Sequence, residues 1–422
     1  MNIYISKATI IDPESPLHGK VSDILVENGN ITQTGDFSDP GNTTVVHADG
    51  LMVSPGWVDV FADYAEPGYE HKETINTGLK AAAAGGFTDV FLMPNTNPVL
   101  GTSAMVESVT AKSRGNIVNL HPLGCATQQA EGKDLAEMLD MRRCGAIAFT
   151  DGRKPIQNSG LMLKALEYVR AFNGVILQMP NDASLSSGGL MNEGLLSTQL
   201  GMPGLPAIAE TMMVYRDLEL LRYTGSRLHI TGISTAGAVE MIRKAKAEGL
   251  QVSCSVTPYH LALTEESLRG YDSVYKVNPP LRAESDRLAL IEGLNNGTID
   301  CIASHHQPHE WDAKTREFEY ASNGMALQEI AFNVAWNAVK EVVSADRLVE
   351  AMTLIPRDIF GLTQPIIAEG QKARLTMFTT NGTTTLTDAK VRSASRNNPF
   401  IGAMLPGRVL GIVNNNQLYL NN

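Results

Sequence analysis

Eight short apolar segments alternate with helix-like stretches between residues 53 and 365, and that rhythm constrains the fold more than any other feature of the chain. The strand candidates are residues 56–61, 88–93, 117–120, 146–150, 175–179, 228–233, 252–256 and 301–304. Between them lie helical stretches at 74–84, 161–172, 209–223, 236–248 and 285–295, and two more are expected at 326–342 and 345–360. Eight strands alternating with helices over such a length predict an α/β fold, a (β/α)8 TIM barrel. The pattern changes at both ends. Residues 1–52 carry alternating runs such as NIYISKATII and DILVENGNIT, broken by Gly, Asn, Asp and Pro, and the tail from Gly370 does the same. The expectation is one small β-sandwich domain built from both termini, residues 1–52 plus 366–422, with the barrel over 53–365.

Composition narrows the function classes. The net charge of −11, without a basic stripe, argues against nucleic acid or an anionic membrane as partner. No apolar run nears the roughly 20 residues of a membrane helix. The four cysteines, Cys125, Cys144, Cys254 and Cys301, are too dispersed for a zinc ribbon or a disulfide framework, which fits a reducing cytoplasm. The N-terminus shows no signal segment, so a soluble, cytoplasmic protein is expected.

Chemistry in such a barrel gathers at the C-terminal strand ends. Here these read Phe61-Ala62-Asp63, Pro94-Asn95, Asp151, Met179-Pro180-Asn181, Gly232 through Ser234, Thr257 through His260, and His305-His306-Gln307-Pro308-His309. A hydrolytic metal pair needs four or more convergent imidazoles and carboxylates. Only Asp63, Asp151 and His305 stand in suitable places. Asp63 and Asp151 could instead cap turns after their strands, and the histidine cluster could pack and hydrogen-bond at the mouth. Cys254 and Cys301 read as small core residues rather than nucleophiles.

The segment PGWVDVFADYAEPG (55–68) resembles the signature PG-x-x-D-x-H-x-H-x-R-x-PG of dihydroorotases. The likeness continues, in order, through GLKAAAAGGFTDVFLMPNTNP, AFTDG, MNEG, HITGIST, VTPYHL, KVNPPLR, IASHHQPH and NPFIGAMLPGRV. The resemblance implies an amidohydrolase barrel of pyrimidine biosynthesis, in which zinc-bound hydroxide attacks a cyclic amide and an Asp after strand eight shuttles the proton. It also implies losses. The family's two histidines after strand one are Phe61 and Asp63, and its carboxylate-binding arginine is Ala65. The histidines after strands five and six align with Met179 and Gly232, and the catalytic Asp with His305. Asp151 survives, as do Asn95, Asn278 and His309 at substrate-side positions. The expectation is therefore a non-catalytic relative: His305 at the catalytic position without function, Asn95, Asn278 and His309 vestigial, and no metal or other cofactor. Some ligand-depleted relatives assemble with aspartate transcarbamoylase, so a homo- or hetero-oligomer with that partner is expected. The alternative is an active cyclic-amide hydrolase with one zinc on Asp63, Asp151 and His305.

Overall fold

The structure is a computed structural model, described here for residues 1–421. Its barrel staves are parallel and short. Trp57–Ala62 pairs with Phe87–Leu92, which pairs with Asn119–Pro122. Ile176–Gln178 pairs with Leu228–Thr231, then Val252–Val256, then Cys301–Ile302. Two sets of isolated parallel bridges close the ring. Phe149 links Gly124 to Ile176, and Ala62 meets His306. Every residue of the first two staves is buried, as expected for strands covered on both faces. The barrel interior holds Val58, Val60, Phe91, Leu123, Ala148, Leu177, Cys301 and Ala303. A larger apolar layer lies between the staves and the outer helices.

The helices start where side chains supply caps. Thr74 caps Ile75–Ala84 in a reciprocal capping box with Thr77. Thr102, Asn158 and Thr235 cap Ser103–Ser113, Ser159–Arg170 and Ala236–Ala247. Strands from the two ends of the chain share one eight-stranded sheet. Met52–Pro55 lies between Asn2–Ile10 and Leu375–Thr385, and Met404–Asn414 and Gln417–Leu420 extend that side. Ile3, Ile5, Ile24, Val26, Val53, Leu375 and Met377 pack as its core.

Three local expectations are corrected. The stretch 146–150 is no continuous strand; it enters the barrel through the Phe149 bridges alone. The single helix expected at 345–360 is two, Ala345–Glu350 and Leu354–Phe360. Pro356 explains the break, since it has no N–H for the carbonyl four residues back and its ring would crowd that group. Helix Ser103–Ser113 lies where none was expected; its buried residues are few, so its hydrophobic periodicity is weak. No helix among the described residues is long and apolar enough to cross a membrane.

Candidate functional site at the barrel mouth

The last turn of stave one and the loop after stave eight meet at the mouth. The Phe61 and His305 rings pack against each other at a tilt of 40°, centroids 4.6 Å apart. Phe61, Met179 and His305 are 1%, 3% and 6% exposed. His305 has a left-handed backbone, φ +45°. Its imidazole sits where stave six offers no side chain: a Cβ added to Gly232 would lie 2.5 Å from His305 Cε1. Gly232 itself has φ +68°, a region an L side chain enters only with strain. The glycine and the histidine are thus two halves of one packing solution, in which a ring fills the centre of the mouth.

A chain of hydrogen bonds holds that ring. His305 Nε2 bonds Thr231 Oγ1 at 2.8 Å, Thr231 bonds Ser255 at 2.8 Å, and Ser255 bonds His229 Nε2 at 3.1 Å. His229 Nδ1 bonds Ser253 at 2.9 Å. All of these groups are buried within the barrel. Burial pushes both imidazoles down, to about 3, with no carboxylate beside them to oppose it. A depressed imidazole stays neutral in the folded state while the unfolded chain takes up protons. The sign follows: this part of the stability is complete above the ordinary histidine pKa of about 6.5 and is lost as pH falls toward the folded values. Nitrogen NMR at pH 5 is expected to show both rings neutral; imidazolium signals from either would contradict the packing described here.

Each carboxylate of the mouth is engaged. Asp63 Oδ1 accepts the Ala65 N–H at 2.8 Å and Oδ2 lies 3.1 Å from Arg153 Nη1. Asp151 accepts the backbone N–H groups of Ala126 and Thr127, at 3.1 and 2.9 Å, and the Thr127 hydroxyl. Burial pushes its carboxyl up, while the Thr127 and Ala126 donors oppose that rise. Asp59 accepts Ser304 N and the Gln328 amide, and Tyr64 donates to the same Gln328. Among the described residues, no group of three His, Cys, Asp or Glu side chains is arranged to hold a metal ion. The alternative zinc set of Asp63, Asp151 and His305 is therefore not assembled: two members are spent on backbone donors and the third packs against Phe61. The zinc pair that the dihydroorotase resemblance implies does not fit this donor set either. Phe61 and Gly232 supply no ligand atom, and the Met179 thioether suits soft copper(I) better than zinc.

The substrate-side residues are dispersed. Asn95 donates to Asp151 O at 3.0 Å and accepts Arg153 N–H at 3.1 Å, so its amide braces the loop after stave four. Asn278 lines a cavity of about 130 Å³ with Asn181 and Asn323. His309 lines another, of about 320 Å³, beside Trp311. Ala65, where the dihydroorotase resemblance implies a carboxylate-binding arginine, is 2% exposed with φ +58°. Sequence reasoning missed Arg153, Thr231 and Ser255. Arg153 had a signal, a cation two residues beyond a strand-end aspartate. The two hydroxyls had none, because they lie mid-strand and act through His229 and His305. Tyr64 is fully buried, whereas Trp311 is 76% exposed.

With this geometry in view, comparison with known proteins decides the family. The dihydroorotase of Pelotomaculum thermopropionicum is 41% identical over 414 residues, spanning 96% of each chain. That of Syntrophus aciditrophicus is 40% identical, spanning 97% of each. The chain belongs to the dihydroorotase family. The Dihydro-orotase-like family model matches residues 50–238 of this dihydroorotase relative, and the Amidohydrolase family model residues 205–410. Two solved structures share the fold of a TIM barrel with a small β-sandwich domain. L-hydantoinase from Arthrobacter aurescens superposes with a TM-score of 0.84 at 22% identity, over 99% of this chain and 95% of its own. Dihydropyrimidinase from Brevibacillus agri gives 0.83 at 19%, over 100% and 95%. In this chain of the dihydroorotase family, Phe61 and His305 fill the centre of the mouth.

Proposed function

We propose that this dihydroorotase homologue is non-catalytic and serves de novo pyrimidine biosynthesis as a structural and activating partner of aspartate transcarbamoylase. The packed Phe61–His305 pair carries the reading, because it occupies the place from which ligands would reach a metal-bound hydroxide. His305 offers an imidazole where the family has its proton shuttle, but a base without an electrophile or an activated water gains little. The resemblance to ligand-depleted relatives points to aspartate transcarbamoylase. The outer surface supports a docking role. Helix Ile208–Thr224 leaves Ile208, Met212, Tyr215 and Tyr223 exposed at helical spacing. Such apolar and aromatic side chains are the usual anchors of stable interfaces, which bury roughly 1,200–2,000 Å².

Mixing the two purified proteins tests this. Native mass measurement is expected to show a mixed oligomer, with transcarbamoylase activity or thermal stability raised. Tyr215→Glu with Tyr223→Glu should weaken it. Two separate species with unchanged transcarbamoylase kinetics would refute the partnership.

A further inference from the structure

Independently of that reading, two lysines are buried side by side without a carboxylate partner. Lys276 follows the short turn Ser273–Tyr275, and Lys314 ends the short helix Trp311–Lys314. They are 5% and 8% exposed, although lysine is almost never buried unless paired. Lys314 Nζ donates to Ser322 O at 2.8 Å and, at longer range, to Gly324 O at 3.3 Å and Lys276 O at 3.4 Å. Lys276 Nζ donates to Phe318 O at 2.6 Å and Glu319 O at 2.9 Å, and lies 5.2 Å from the centre of the Phe318 ring. Carbonyl dipoles offset part of the desolvation cost of the two ammonium groups, but neither has a full countercharge in contact. Burial, and then the neighbouring Lys276 cation, push Lys314 down to about 7 against the pull of the Asp272 carboxylate. Burial pushes Lys276 down as well, with Glu319 opposing.

A buried lysine beside a second cation is the usual setting of a nucleophilic amine. Lys314 has room for a reaction partner, because it lines a cavity of about 320 Å³ together with the 76% exposed Trp311. The charged groups around that cavity are mostly engaged. Asp272 accepts the Val274 N–H at 2.9 Å, Glu310 lies 3.9 Å from His71 Nε2, and His309 Nε2 donates to Asn323 O at 2.8 Å. Arg396 is the exception: its guanidinium makes only long contacts, 3.3–3.5 Å, with the carbonyls of Ser393, Ala394 and Asp388. It is thereby placed to meet an anionic leaving group.

We infer that Lys314 is a site of covalent acylation by small acyl phosphates. The lone pair of the neutral amine attacks the acyl carbon. The bond from that carbon to the phosphate oxygen breaks, phosphate leaves with the electron pair, and the amine's proton passes to water. The amide that forms has no charge to bury, so the burial that disfavours the ammonium favours the product. It also withdraws donors from Ser322 and Gly324, which loosens the hold of Lys314 on its own loop.

Acetyl phosphate is the probe, and peptide mass mapping of the full chain locates the label over time. Lys164 is the internal reference, exposed and held above the ordinary lysine range by Glu167 at 2.8 Å. An ordinary lysine is neutral in only about one molecule in a thousand at pH 7. Lys314 should therefore label at least roughly tenfold faster than Lys164 at pH 7, and the margin should shrink at pH 10, where surface lysines also lose their protons. Lys314→Arg, which keeps the charge, should remove the fast site and leave the slow surface labelling as it was. Labelling that follows exposure, with Lys314 no faster than Lys164, would overturn the inference, as would a margin equal at the two pH values.

Discussion

Replacing Gly232 by histidine, the residue that the dihydroorotase resemblance implies there, is expected to destabilise the fold by about 2–4 kcal/mol rather than restore a ligand. Two costs combine. The backbone at this position has φ +68°, and the new Cβ would stand 2.5 Å from His305 Cε1. Neither ring can step aside freely, because His305 is packed against Phe61 and bonded to Thr231. His305→Ala alone should also destabilise, by opening a void and breaking the Thr231 bond. Together, the two changes should cost less than their sum, with a coupling of about 1–3 kcal/mol in a double-mutant cycle. Urea unfolding measures all four proteins. Additive effects would mean that Gly232 and His305 do not share one space.

A second large effect lies at the opposite face of the barrel. Asp89 is fully buried and contacts Arg357 at 2.7 Å, His121 at 2.9 Å, Asn119 at 3.0 Å and Arg374 at 3.9 Å. Although burial opposes its charge, the Arg357 guanidinium, with His121 and Arg374, holds its carboxyl far below the usual range. Asp89→Ala would leave Arg357 buried beside a second arginine with nothing to neutralise either, at a cost of about 3–5 kcal/mol. Asp89→Asn keeps the shape and the Asn119 contact but not the charge, and should lie between. The pH dependence has a definite sign. A depressed carboxylate contributes stability that is complete above its unfolded pKa of about 4 and is lost on acidification below that. Thermal melts at neutral pH should therefore separate the wild type and Asp89→Ala by more than melts near pH 3. An unchanged gap would place the pair outside the stability balance.

What the sequence could show depended on how local the determinant was. The stave-and-helix rhythm was legible because each unit has its own period and caps: Val252–Val256 is both the expected segment and the observed strand. The break near Pro356 was legible in principle, since one residue dictates it. The weak stave at Phe149 was not, because it depends on neighbours donated by Gly124 and Ile176. At the mouth, motif order exposed each replaced position singly. The pairing of Gly232 with His305, 73 residues apart, needed coordinates, as did the Asp63–Arg153 ion pair and the capture of Asp151 by the loop at Thr127. Conversely, Asn95, which the resemblance implies at a substrate-side position, braces its own loop, so a motif match alone did not establish a role.

The central claim, a barrel whose mouth is filled rather than armed, is tested most directly by assaying dihydroorotase turnover in both directions while zinc is titrated into the purified protein. The expected result is a rate indistinguishable from background at every zinc concentration and pH. A zinc-stimulated rate that disappears on Asp151→Ala would contradict it, because that would require Asp151 to leave Thr127 and the Phe61–His305 pair to open around a working metal.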